Sequence, residues 1–264
     1  MPPRTRLLPT ETGAIEYLVT RSGEPITIYA HGLLGSIDET RPFASGVSGT
    51  AVFLRFRGHG GTRAFDGRWD YAAVAGELTA VADEVGATRA LGVSLGAGAL
   101  LRLLTTTPDR FRRLALVLPP PLSGHRDPDA VAAWTAMADL VVEKDVAGLS
   151  AALLDSQPMP VRTLRQARVY YARVARNLVD RPGDAVTALR AFPSATPVDE
   201  LAALQRVEAP VLVVGQHDDP LHPLDSAAAL AGALPNGTLH VLDKPGALWL
   251  DRVEVREVLT GFLG

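Results

Sequence analysis

Along the first half of the chain, short apolar runs alternate with stretches of helical spacing. Ala14 to Thr20 alternates as an edge strand does. Pro25 to Ala30, Thr50 to Phe56, Arg89 to Val93 and Arg113 to Leu118 are short and apolar on both faces, as in strands buried inside a sheet. Between them, Tyr71 to Val85 places its apolar residues at helical spacing, with Asp70 as N-cap, and Gly98 to Thr106 carries a second helical pattern. Strands of this kind alternating with helices predict βαβ units and a mostly parallel sheet with helices on both faces.

The alternation stops near Leu122. From there to Thr196 the pattern is helical only: Ala130 to Val142, Val146 to Asp155, Val161 to Val179 and Asp184 to Phe192. It resumes with a helix over Val198 to Leu204, a strand over Val211 to Gly215, a helix over Leu224 to Leu234, a strand over Thr238 to Leu242 and a last helix over Val253 to Phe262. A helical block inserted after a strand predicts a cap. The expected division is a core over 1–121, a helical cap over 122–197 and the rest of the core over 198–264. Within the Val161 to Val179 helix, Leu164, Ala167, Tyr171, Val174 and Leu178 share one face. Arg162, Arg165, Arg173 and Arg176 share the opposite one. A solvated face is the commoner meaning of such a row, and an anion-attracting rim the sharper one.

Composition narrows the chemistry. The 264 residues are 47% hydrophobic and 21% charged, enough for one sizeable core. A net charge of -3 gives no electrostatic footprint for nucleic acid. The absence of cysteine excludes disulfides, thiol catalysis and thiolate metal sites. The first nine residues lack the apolar segment of a signal peptide, and no run reaches a membrane span, so a cytoplasmic protein without a membrane partner is expected. No metal-ligand cluster and no dinucleotide fingerprint is present, so no cofactor is expected.

One stretch carries a candidate reaction. Gly92-Val93-Ser94-Leu95-Gly96 stands between a strand and a helix, the context of a nucleophile elbow, in which a serine hydroxyl is exposed on a sharp turn. Acyl transfer by Ser94 requires a base, an acid that orients the base, and donors for the oxyanion. The backbone N–H of Leu95 is one donor, and that of Leu33, in the loop His31-Gly32-Leu33-Leu34 after the Pro25 to Ala30 strand, is the second. Asp218 and Asp219 follow the Val211 to Gly215 strand, and both compete for the role of acid.

The order of these pieces resembles the α/β-hydrolase fold superfamily, in its capped esterase, lactonase and C–C hydrolase-like branch. The matching segments are His31-Gly32, Arg57-Gly58-His59-Gly60, Gly92-x-Ser94-x-Gly96, Asp219-Pro220-Leu221-His222-Pro223 and a C-terminal helix. The resemblance implies an α/β-hydrolase fold with an inserted helical cap, and it places the acid at Asp219, immediately before the Pro-x-x-Pro run. Two positions depart from the family pattern. Arg55 stands where the family often has an aspartate. More seriously, the catalytic histidine expected after the last strand is replaced by Ala247 in Pro245-Gly246-Ala247-Leu248-Trp249.

Five of the six histidines fall in loops and one in a strand. His31 and His59 belong to Gly-rich loops, His125 opens the cap, His217 and His222 flank the acid, and His240 lies in the last strand. None occupies the family position. Three functions follow from that. A serine hydrolase acting on a small to medium organic ester, thioester or lactone, inactivated at Ala247, is the favoured one, and it predicts that Ala247→His gains activity. The others are a lyase or cyclase of the same fold, and a silent binding protein. In each case the partner is a small molecule, in a pocket walled by Leu33, Leu34, Leu95 and Trp249 with Trp134 or Tyr170 from the cap.

Overall fold

The computed structural model describes residues 4–63, 67–122 and 127–264. His125 lies outside them. Eight strands form one sheet: β1 (Arg6–Thr10), β2 (Gly13–Thr20), β3 (Ile26–Ala30), β4 (Thr50–Leu54), β5 (Arg89–Val93), β6 (Arg113–Val117), β7 (Val211–Gln216) and β8 (Gly237–Leu242). Their order is β1-β2-β4-β3-β5-β6-β7-β8. β1 and β2 run antiparallel, β2 meets β4 antiparallel, and every pairing from β4 through β8 is parallel. This is the mostly parallel sheet that the strand pattern predicts.

Helices occupy the crossovers: α1 (Ile37–Thr40), α2 (Tyr71–Val85), α3 (Leu95–Thr106), then α4 (Pro128–Val142), α5 (Val146–Asp155), α6 (Met159–Arg162), α7 (Arg165–Asp180) and α8 (Pro182–Ala191) between β6 and β7, and finally α9 (Leu224–Ala233), α10 (Ala247–Leu250) and α11 (Arg252–Leu263). The Asp70 carboxylate accepts from Ala73 N–H at the start of α2, as its position predicts, and Gly86 closes that helix in the left-handed region.

Register divides the core in two. Ile28 lies opposite Val52 and Ala90, and Tyr29 opposite Phe53 and Leu91. The first set belongs to the core shared with α2, α3 and α9, the second to the core shared with α11. Adjacent strand residues therefore feed opposite faces, which is why these strands are apolar throughout. Leu100, Leu101 and Leu104 of α3 are fully buried, each worth about 1.5–3 kcal/mol. The helices between β6 and β7 pack on a third cluster, including Met137, Val141, Leu149, Leu153 and Leu189.

Four local departures have physical causes. β1 goes unread in the pattern because its residues are mostly exposed, so no buried face imposes alternation. The helix expected over Val161 to Val179 is two, because Leu164 adopts an extended conformation between α6 and α7. The segment expected as a helix from Val198 to Leu204 is a 3-10 helix over Leu201–Arg206. α3 begins at Leu95 rather than Gly98, because Gly96 and Gly98 are demanded by packing. A Cβ on Gly98 would enter the Tyr71 ring of α2.

Candidate active site

The loops that follow β3, β5, β6 and β7 meet at one edge of the sheet. Four non-glycine residues there have positive φ: Leu34 (62°), Ser94 (47°), Leu118 (46°) and Asp218 (54°). Only two other described non-glycine residues do, Arg21 and Lys144. Backbone strain of this kind costs on the order of 1–3 kcal/mol each and concentrates where geometry is imposed by use.

Ser94 is held in its strained conformation by the chain on either side. Its N–H donates to Val117 O (3.0 Å) and its carbonyl accepts from Gly98 N–H (2.9 Å). A Cβ on Gly92 would strike the Gly96 backbone, and one on Gly96 would strike the Ala30 carbonyl. Both glycines of the motif are therefore steric requirements.

His222 stands beside Ser94. Its Nε2 is 2.9 Å from Ser94 Oγ, and its Nδ1 is 3.0 Å from Asp219 Oδ2. An ionised carboxylate only accepts, so Nδ1–H donates to Asp219, and neutral Nε2 accepts from the Ser94 hydroxyl. Asp219 is fixed further: its Oδ1 accepts from the N–H groups of Leu221 (3.0 Å) and His222 (3.1 Å), and its Oδ2 from Gln216 Nε2 (2.6 Å). Burial alone raises the Asp219 pKa. The charge of His222 and the hydrogen bonds from His222 and Gln216 outweigh it and hold the group at about 2. Gln216 also accepts from Gly246 N–H (3.1 Å), tying the turn after β7 to the loop after β8.

This corrects the expectation that Ser94 has no basic partner and that Asp219 has nothing to orient. The sequence signal for it is a histidine three residues after the acid, within the Pro-x-x-Pro loop. Ala247 is fully buried in the apolar cluster that contains Leu242, Val255 and Leu259. Its neighbours Gly246, Leu248 and Trp249 line the cavity, whereas Ala247 does not. Asp218 is exposed, and His217 likewise. His240 pairs with Glu254 (3.4 Å) within the fold.

His31 and His59 build the neighbouring wall. His31 Nδ1–H donates to Gly32 O (2.7 Å) and its Nε2 accepts from Phe56 N–H (3.2 Å). His59 Nδ1–H donates to Arg57 O (2.8 Å) and its Nε2 accepts from Leu34 N–H (3.0 Å). Burial lowers both pKa values, so each ring is neutral and one nitrogen of each is an acceptor. The loop that starts at Arg57 is anchored by a buried pair, Arg57 Nε to Glu77 Oε1 (2.7 Å). Arg55, the other departure, pairs with Glu16 (3.4 Å).

The cavity above Ser94 measures about 460 Å³. Leu33, Leu34, Leu95, Trp134, Tyr170 and Trp249 all line it, together with His222, Asp219 and Gln216. The N–H groups of Leu33 and Leu95 have no acceptor among the described residues. Tyr170 and Tyr171 pack edge-on at 5.1 Å, and Tyr170 lies 5.4 Å from Trp249. Of the arginine row, Arg173 reaches the cavity and covers the Tyr170 ring (5.6 Å). Exposed Arg252 covers Trp249 (5.5 Å). Among the described residues no helix is long and apolar enough to cross a membrane, and no cluster of three or more acidic, histidine or cysteine side chains is arranged to hold a metal.

A buried strand–serine–helix turn at the edge of a parallel sheet, facing a cavity, defines a hydrolase-type fold. The chain belongs to the alpha/beta hydrolase fold family, whose model matches residues 25–250. It is similar to the enol-lactonase from Burkholderia xenovorans LB400, with a TM-score of 0.80 and 18% identity over 98% of this chain and 99% of that one. It is also similar to a thermophilic esterase from Thermogutta terrifontis (TM-score 0.76, 16% identity, 99% and 100% covered). A third similar structure is an alpha/beta hydrolase enzyme from a Medee basin deep-sea metagenome library (TM-score 0.82, 12% identity, 98% and 97% covered). No curated protein matches the sequence at a significant level.

Proposed function

We propose that the protein is a serine hydrolase acting on a small to medium organic ester, thioester or lactone, with Ser94 as nucleophile, His222 as base and Asp219 as the acid that orients it. The observation that carries this reading is the continuous pair of hydrogen bonds from Ser94 Oγ through the His222 ring to Asp219 Oδ2. His222 Nε2 takes the hydroxyl proton as Ser94 Oγ bonds to the substrate carbonyl carbon. The carbonyl oxygen, now an oxyanion, accepts from the Leu33 and Leu95 N–H groups. The imidazolium, stabilised by Asp219, returns the proton to the leaving oxygen or sulfur. Water, deprotonated by the same Nε2, then cleaves the acyl-enzyme.

The helices α4 to α8 serve as the cap of this site, and Trp134, Tyr170 and Trp249 as its apolar wall. Similarity to an enol-lactonase and an esterase supports an oxygen ester or lactone over other acyl groups. The histidine hydrogen-bonded to Ser94 supports hydrolysis over the lyase and binding-protein alternatives. The experiment is labelling of the purified protein with a fluorophosphonate, followed by a panel of aryl esters, thioesters and lactones. Stoichiometric modification of Ser94 and turnover that Ser94→Ala abolishes are expected. An unlabelled Ser94, or turnover that survives Ser94→Ala, overturns the reading.

A further inference from the structure

One polar group on the cavity wall takes no part in the proposed chemistry. Glu39, in α1, lines the cavity, and its Oε2 atom is buried with no hydrogen-bond partner. It lies close to the nucleophile: a point one bond out from Gly32 Cα is 3.6 Å from Ser94 Cβ and 3.9 Å from Glu39 Oε1. Gly35 leaves room for it, since a Cβ there would overlap Glu39 Oε2. Much of the wall around it is apolar or aromatic, including Leu34, Leu95, Trp134 and Tyr170. A carboxyl oxygen buried without a partner costs free energy.

We propose, resting on the hydrolase reading of Ser94, that Glu39 is the specificity-determining residue and selects acyl groups bearing a hydroxyl within a few bonds of the scissile carbonyl. The substrate hydroxyl donates to the Glu39 carboxyl, and the acyl carbon is thereby fixed over Ser94 Oγ. Two observations favour a hydroxyl over an ammonium group. Arg173, Arg252 and Arg256 line the cavity as exposed residues, outnumber the exposed Asp38 and Asp127 on the same lining, and oppose the approach of a cation. Burial, countered only in part by the backbone groups of Ser36 and Gly32, pushes the Glu39 carboxyl up to about 7, so much of it is uncharged near neutrality. A hydroxyl pairs with either form.

The test compares 4-nitrophenyl butyrate with the 2-hydroxy- and 3-hydroxybutyrate esters. A site built around a hydrogen-bonding group discriminates strongly against analogues that lack the partner, so one hydroxy ester should exceed the butyrate in kcat/KM by about ten- to a hundredfold. Glu39→Leu should bring the hydroxy-ester to butyrate ratio of kcat/KM close to one, and Glu39→Gln, which still accepts, should keep most of the preference. Equal rates for all three esters in the wild-type protein, or a Glu39→Leu variant that slows all three alike, overturns the proposal. Calorimetric binding of butyramide and the two hydroxybutyramides, none of which needs to react, decides the role of Glu39 separately. If Ser94 takes no label and no ester turns over, the hydrolase reading fails. A hydroxyl-dependent affinity lost in Glu39→Leu would still uphold Glu39 as the selective group, and its absence would reject it.

Discussion

Removing the His222 ring is the sharpest perturbation of this site. His222→Ala leaves Ser94 Oγ without its acceptor at 2.9 Å and deprives Asp219 of one donor. Asp219 keeps Gln216 Nε2 and the Leu221 and residue-222 N–H groups, so the folding cost is limited to about 1–2 kcal/mol. The catalytic cost is much larger. Loss of a member of such a triad lowers kcat by roughly 10⁴–10⁶, which at about 1.4 kcal/mol per tenfold is about 5–8 kcal/mol of barrier. Steady-state hydrolysis of an aryl ester, the rate of fluorophosphonate labelling and a thermal melt separate the two effects. A small shift in Tm with loss of both turnover and labelling is expected. The counterpart is His222→Ala combined with Ala247→His. Ala247 is completely buried, so an imidazole there overpacks the core at about 1–3 kcal/mol and gains no access to Ser94. Retention of more than a tenth of wild-type turnover in His222→Ala, or rescue by the added Ala247→His, would refute the assignment of the base.

Further outcomes follow from the same geometry. Gln216→Leu should lower kcat by about ten- to a hundredfold with KM little changed, because it removes the 2.6 Å donor that aims Asp219; a pure KM effect would contradict this. Gly96→Ala should fail to fold or melt far lower, since its methyl would meet the Ala30 carbonyl; a wild-type melt would show that the packing is looser. Acid should loosen the loop around Leu34. His31 and His59 are held neutral, so the stability they contribute is present above the unfolded histidine pKa of about 6.5 and is lost as pH falls below it, which a pH series of melts of His59→Asn and wild type should resolve. Asp219 has the same sign at lower pH: its contribution is complete above about 3.8 and disappears as pH falls through about 2.

The sheet was readable because burial on both faces writes itself into composition: β3, β5, β6 and β7 are apolar at nearly every position. β1 was not, because an exposed edge needs no pattern. At the site, Ser94 was legible from two glycines whose absence of a side chain is enforced by backbone contact. Position after β7 left Asp218 and Asp219 open, and the family resemblance chose Asp219, the carboxylate that bonds the His222 ring; positions after β3 and β5 offered Leu33 and Leu95 as oxyanion donors. The family position for the base follows the last strand, and no histidine stands there. The geometry depends on where a ring reaches in space, and His222 reaches Ser94 across 128 residues of chain. Glu39 was invisible for a related reason: a single carboxylate in α1 has no local pattern, and only folding reveals that its Oε2 lacks a partner.

Asp219 and His222 sit on one turn, three residues apart, and the turn's own backbone donates to the acid. In an arrangement that drew acid and base from separate loops, two independent displacements would have to agree before a proton could move. Here acid and base share one hydrogen-bonded turn, so in the proposed reaction a single coordinate, the separation of that turn from the strained Ser94 turn, governs proton transfer. A molecule that wedges beneath the turn after β7 would switch the protein off without touching either partner's bond to the other. A sequence search for relatives of this chemistry should therefore weigh the four-residue spacing Asp-x-x-His after the seventh strand, rather than the end of the eighth.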